Sequence, residues 1–123
     1  MKFSFSMFFL AVFLSFSYAS GQNSNNFDEL MDTLKDRSST LIIYSVQVGA
    51  FKLKKNPKKG YYDGVENLFS KRYDDNFNRF FSGLFRSLGD AISYCDELRS
   101  RGYQDAFVLG LDGGFDRILI EID

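Results

Sequence analysis

The chain has 123 residues and a formal net charge of −1, with 15 Phe and 7 Tyr but no Trp and no His. The near-neutral charge argues against general nucleic-acid binding, and the absence of histidine removes Ser–His and Cys–His nucleophile pairs and the commonest metal ligand. Because so short a chain has a limited core, most aromatic side chains are expected to be structural. No metal site and no cofactor is predicted.

The N-terminus is typical of an export signal. Lys2 precedes an apolar run over about residues 3–16, which is too short for a membrane-spanning helix. Ser17-Tyr18-Ala19 fits a cleavage site, Ala19-Ser20-Gly21 is a second option, and an uncleaved anchor is the alternative. We predict a signal peptide over residues 1–19, periplasmic localisation and no membrane association after cleavage.

Residues 20–40 are predicted to form a leader with one short amphipathic helix. Phe27, Leu30, Met31 and Leu34 follow the i, i+3, i+4, i+7 spacing of an apolar helix face. This helix either packs on the following domain or acts as a spacer, and the periodicity does not distinguish the two. Residues 41–123 are expected to fold without it.

Residues 41–123 are predicted to form one α+β domain. The predicted elements are a strand at 41–51, a short helix at 61–68, an irregular bridge or edge strand at 71–75, a strand at 77–85, a helix capped by Ser87 and closed by Gly102, and strands at 106–111 and 115–122. This order predicts a ferredoxin-like or RNP-like βαββαβ fold with an extra C-terminal strand. The only cysteine, Cys95, lies on the apolar face of the second helix and is expected to be buried and unreactive.

Two helices would cover one face of this sheet and leave the other open, where a binding surface is expected. Strand alternation places Phe77, Arg79 and Phe81 on one face, and the charged Arg79 favours the open one. Gln47 has the opposite sense to Val46 and Val48, which suit the core.

Two aromatic-rich segments carry a family resemblance. Val46-Gln47-Val48-Gly49-Ala50-Phe51 and Phe77-Asn78-Arg79-Phe80-Phe81-Ser82-Gly83 resemble the first and a later strand of SPOR (sporulation-related repeat) domains, and Arg101–Val108 resembles the end of their second helix and the next strand. With Tyr61-Tyr62-x-Gly64 between these segments, the chain resembles the secreted SPOR versions of Bacteroidetes-type bacteria. The resemblance implies non-catalytic binding of peptidoglycan glycan strands that lack stem peptides, at the division septum, with cell-division or envelope proteins as further partners. The implied glycan-binding residues, with Phe81 added by strand alternation, are Gln47, Ala50, Phe77, Arg79, Phe81 and Phe107.

The side-chain chemistry fits such a ligand. Phe77 can stack on a sugar ring, Gln47 can pair with an acetamido group, and Arg79 can take the lactyl carboxylate that is exposed when the stem peptide is removed. The alternatives are a solvent-facing Gln47, a core Phe77 and an Arg79 paired with Asp74 or Asp75. Tyr61, Tyr62 and Tyr73 are expected to be packing residues.

An envelope protein–protein adaptor and an enzyme are the two alternative functions. The adaptor would use the same open face. The enzyme is disfavoured because the spacing of the Asp and Glu residues indicates no general acid–base pair. Five lysines surround the only proline and indicate a solvated loop, with contact to an anionic polymer as the alternative; they are Lys52, Lys54, Lys55, Lys58 and Lys59.

Overall fold

The computed structural model describes residues 26–122, so the predicted signal peptide and residues 20–25 of the predicted leader lie outside the described residues. The elements are helix α1 at 26–35, strands β1 (Ile43–Lys52), β2 (Leu68–Arg72) and β3 (Phe77–Phe85), helix α2 (Leu88–Ser100), and strands β4 (Phe107–Leu111) and β5 (Arg117–Leu119). Neither helix in this range is both long and apolar enough to cross a membrane.

The five strands form one antiparallel sheet in the order β2-β3-β1-β4-β5. The first four strands have the order of a ferredoxin-like sheet, and β5 adds an edge beside β4. The predicted α+β class and extra C-terminal strand are therefore confirmed, although β5 is shorter than the predicted strand at 115–122.

Helix α2 begins and ends where the sequence predicts. Ser87 is its N-cap and its hydroxyl accepts a hydrogen bond from the Asp90 amide at 3.3 Å, while Gly102 follows the C-cap with φ of +114°. Its apolar side buries Ala91, Cys95 and Leu98 against the sheet face that carries Val46, Val48 and Val108. We call this the α2 face. Cys95 is buried as expected, and burial raises the pKa of its thiol.

Helix α1 packs on the opposite face of the sheet. Leu30 and Leu34 are 2% and 0% exposed and belong to a core cluster with Ile43, Phe81, Leu84, Leu109, Leu111 and Phe115. Of the two alternatives for the leader helix, the packed one is therefore correct, and a self-sufficient domain over residues 41–123 conflicts with this packing. We call this side of the sheet the α1 face.

The predicted helix at 61–68 is wrong, and so is the prediction of two helices on one face. Residues 59–64 are turns, and Leu68 already begins β2. Gly60 and Gly64 have φ of +83° and +82°, and Asn67 has φ of +49°. These left-handed residues interrupt a segment that is too short to be a stable helix on its own.

Candidate functional site

The six predicted site residues do lie on one face of the sheet. Cross-strand partners in an antiparallel sheet point to the same side, and the register pairs Gln47 with both Phe81 and Phe107, Ala50 with Arg79, and Lys52 with Phe77. All of them belong to the α1 face. A bulge in β1 between Gln47 and Gly49 puts Ala50 rather than Gly49 on this face.

This face is not open, which corrects the sequence prediction. Phe81 is 0% exposed and Gln47 is 6% exposed, because α1 covers the part of the face around Phe81. The turn between β4 and β5 closes over from another side, with the Phe115 ring 6.2 Å from that of Phe69 on β2. Phe77, Arg79 and Phe107 are half-buried, and of the six residues only Ala50 is exposed.

Arg79 is held in a defined geometry. Its guanidinium donates to both carboxylate oxygens of Asp75, at 3.1 Å and 2.9 Å. It also lies over two rings, 5.2 Å from the centroid of Tyr73 and 5.3 Å from that of Phe77. Pairing with a local acid, one of the alternatives for Arg79, is thus what the structure contains. The hydrogen bonds from Arg79 hold the pKa of the Asp75 carboxyl below its usual value.

Two further residues complete the cluster. The Tyr73 hydroxyl donates to the Phe115 carbonyl at 2.7 Å and so joins the end of β2 to the turn before β5. Burial raises the pKa of Tyr73 to about 12, so its hydroxyl keeps its proton at neutral pH. Burial, and secondarily the charge of Arg79, lower the pKa of Arg117. The strand register places Arg117 and Arg79 on the same, α1 face of the sheet.

The sequence contained a signal for Arg117 that went unused. Arg117 lies two residues after Phe115, so strand alternation gives it the same sense as that buried ring. The register confirms this, since Arg117 pairs with Leu111 of the α1-face core. Tyr73 was expected to be a packing residue and contacts both the core and Arg79.

Several buried polar atoms on this side of the molecule have no hydrogen-bond partner within the described residues. They are Gln47 Oε1, Arg79 Nε, Arg117 Nε and Asp112 Oδ1. Two are guanidinium donors and two are oxygen acceptors, so they need different partners. Buried polar groups normally find a partner, and a bound oxygen-rich group or ordered water would supply it. We call Gln47, Tyr73, Phe77, Arg79 and Arg117 the arginine site.

The arginine site is suited to recognising an anion. A planar guanidinium that stacks on aromatic rings and binds a carboxylate with two hydrogen bonds gives orientation as well as charge. A second arginine nearby adds positive potential. No group of three or more Cys, Asp and Glu side chains in residues 26–122 is arranged to hold a metal ion.

Comparison of the chain with protein-family models, with curated proteins and with solved structures gave no match. The geometry of the arginine site and the sequence pattern are therefore the basis for assigning a function.

Proposed function

We propose that this protein is an exported, SPOR-like, non-catalytic module that binds peptidoglycan glycan strands lacking stem peptides, at the division septum. One observation carries the proposal: Arg79 is fixed between two aromatic rings and already holds a carboxylate, that of Asp75. Strand order, the predicted export signal and the two segments that resemble SPOR strands support it.

A stripped glycan strand offers the group that this site accepts. Removal of the stem peptide leaves the lactyl carboxylate of each muramic acid free, and Asp75 holds the position that this carboxylate would take. Asp75 is half-exposed, whereas the Arg79 side chain is only 14% exposed. The carboxylate of Asp75 is therefore the more accessible partner of the pair, although it also accepts the Phe77 amide hydrogen at 3.1 Å, and a ligand carboxylate that replaces it at Arg79 leaves the arginine in place.

The covering of the α1 face limits the contact to its rim. Phe77, Arg79 and Ala50 lie at the accessible end of β1 and β3, away from α1. Phe77 offers a partly exposed ring for the CH face of a sugar. Gln47 and Phe81 are buried, so neither side chain contacts the ligand from solution.

A protein–protein adaptor is the second candidate. It is favoured by the outer edge of the sheet, where Leu119 of β5 is 71% exposed. An extended partner peptide could add a strand there.

The test is binding to amidase-stripped and to intact sacculi. Arg79→Lys is expected to weaken binding to stripped sacculi by roughly tenfold or more, because an ammonium cannot reproduce the planar two-bond contact. Asp75→Asn is expected to strengthen binding, because it removes the competing carboxylate. Circular dichroism checks that both variants are folded.

The matched control is the exposed ion pair of α2, Arg101 with Glu97, which has a separation of 3.2 Å. Arg101→Lys and Glu97→Gln change the same chemical groups and should leave binding unaltered. Wild-type affinity in a folded Arg79→Lys variant would remove the arginine site as the glycan site. Equal binding of the wild type to stripped and intact sacculi would contradict recognition of stripped strands, and binding to neither would favour the adaptor.

A further inference from the structure

A positively charged loop adjoins the arginine site. Its five lysines are all exposed, and none of them takes part in the ion pairs found among residues 26–122. Between Lys52 and Gly60 the sequence contains no acidic residue, although the chain as a whole has a net charge of −1. We call residues 52–60 the basic loop.

The basic loop begins on the same face and at the same end of the sheet as the arginine site. Lys52 is the cross-strand partner of Phe77, so both side chains lie on the α1 face. The next residue, Leu53, donates its amide hydrogen to the Asn76 carbonyl at 3.0 Å. An extended ligand that binds Arg79 and continues across Phe77 therefore reaches Lys52 and then the rest of the loop.

At its far end the loop has crossed to the α2 side of the sheet, where Tyr61 packs on Tyr62 and Tyr103 of the α2-face cluster. Tyr61 is half-exposed, and its amide donates to the Lys58 carbonyl at 2.9 Å. Its ring meets those of Tyr62 and Tyr103 edge-on, with centroids 4.8 Å and 5.7 Å away. The Tyr103 hydroxyl donates to the Tyr61 carbonyl at 2.8 Å. The ring is thus held in place before any ligand arrives, which lowers the entropic cost of stacking on it.

We propose that the basic loop carries the arginine site around the end of the sheet to Tyr61 on the α2 side, and that the loop and Tyr61 bind further carboxylated sugars of the same glycan strand. This inference rests on the proposed function. Lysines supply charge without demanding a fixed geometry, which suits carboxylates that recur along a flexible polymer. The first acid after the loop in the sequence is Asp63, whose carboxylate lies beside Gly60. The β2–β3 turn that faces the start of the loop contains Asp74 and Asp75, and Asp75 is paired with Arg79.

A glycan fits this surface better than a lipid bilayer does. Membrane-surface binding needs buried apolar area as well as positive charge. Tyr61 is the one large exposed hydrophobic side chain that the structure describes over residues 52–61, whereas the other exposed ones lie elsewhere in the fold. A single rigid tyrosine suits stacking on a sugar ring.

The test compares short and long amidase-stripped glycan strands as ligands for Lys58→Gln/Lys59→Gln. This variant is expected to bind long strands about three- to tenfold more weakly, as for the loss of two exposed charge contacts, and with a weaker dependence on salt. Binding of a short strand that reaches only the arginine site should be unchanged. The matched control is Lys35→Gln/Arg101→Gln, which removes two exposed positive charges elsewhere and should leave both affinities unaltered.

The outcomes separate the two proposals. If Arg79→Lys weakens binding but Lys58→Gln/Lys59→Gln does not, the extension is wrong and the proposed function stands. If the wild type binds no stripped strand of any length, both are wrong. Lysine-dependent binding to anionic phospholipid vesicles, without lysine-dependent binding to glycan, would overturn the extension in favour of a membrane contact.

Discussion

At the scale of single residues, Gly49 shows that part of the family-like motif serves packing. A Cβ atom at Gly49 would collide with the Tyr62 hydroxyl, which donates to the Val48 carbonyl at 3.3 Å. The Phe51 ring, two residues on, meets Phe80 edge-on at 5.7 Å within the α2-face core. Of the stretch Val46–Phe51, Gln47 and Ala50 therefore face the arginine-site side, and the rest builds the core around Tyr62.

This contact predicts strong coupling between Gly49 and Tyr62. Gly49→Ala is expected to destabilise the protein by roughly 1–3 kcal/mol through overpacking, and Tyr62→Phe alone by about 1 kcal/mol through the lost hydrogen bond. In Gly49→Ala/Tyr62→Phe the colliding oxygen is absent, so the double variant should be more stable than the sum of the two costs predicts. Urea unfolding measures all three, and strictly additive costs would contradict the collision.

At the scale of elements, the sequence predicted an element correctly where local sequence alone determines its conformation. The bounds of β3 and the Ser87 cap of α2 were predicted correctly, because strand alternation and capping are local properties. The edge strand β2 was expected at 71–75 but occupies Leu68–Arg72. The helix assigned to 61–68 failed because three left-handed residues outweighed the spacing of Val65, Leu68 and Phe69.

What the sequence could not supply was which element covers which face. The apolar stripe of α1 was visible, but its partner surface depends on long-range packing. The closure of the α1 face also depends on the turn after β4, which Gly113 and Gly114 bring against α1. The Gly114 amide donates to the Leu34 carbonyl at 2.8 Å, and a Cβ on Gly113 would lie 2.5 Å from the Asp36 carbonyl oxygen. The candidate residues were placed on one face correctly, but their burial was not foreseen.

The link between β2 and the turn after β4 predicts a loss of stability in alkali. Burial raises the pKa of Tyr73 to about 12, whereas an unfolded tyrosine ionises near pH 10. The folded state therefore binds the proton more tightly, so this contribution is complete below about pH 10 and is lost as the pH rises toward about 12. The pKa of Tyr62 is also raised to about 12 and adds to the effect.

Tyr73→Phe isolates the contribution of this link. The variant loses the hydrogen bond to the Phe115 carbonyl, so it should be less stable at neutral pH by about 1 kcal/mol. Between pH 10 and 12 its free energy of unfolding should fall less steeply than that of the wild type. Urea unfolding at several pH values measures both quantities. Parallel pH profiles for the two proteins would contradict the proton linkage at Tyr73.

At the scale of the whole molecule, the sheet lies between two helices with one apolar cluster on each side. The α2-face cluster contains Val46, Cys95 and Leu98, and the α1-face cluster contains Leu34 and Phe81. Arg86, just after β3, also reaches Glu29 of α1 in an exposed ion pair of 3.0 Å. Helix α1 therefore closes the second face of the sheet, a role that the sequence prediction gave to no element.

Removal of α1 is therefore expected to destabilise the protein more than removal of a leader that does not pack on the domain. A chain that starts at residue 41 exposes Phe81 and its neighbours. It should either unfold without cooperativity or have much lower thermal and urea unfolding midpoints. Leu34→Ala, a milder change, should cost roughly 2–5 kcal/mol because the side chain is 0% exposed, while Lys35→Ala at the exposed neighbouring position serves as the control. Thermal and urea unfolding report both. A truncated chain with the wild-type midpoint would show that α1 is dispensable, and such a chain should then bind stripped glycan more tightly, because the inner part of the α1 face becomes accessible.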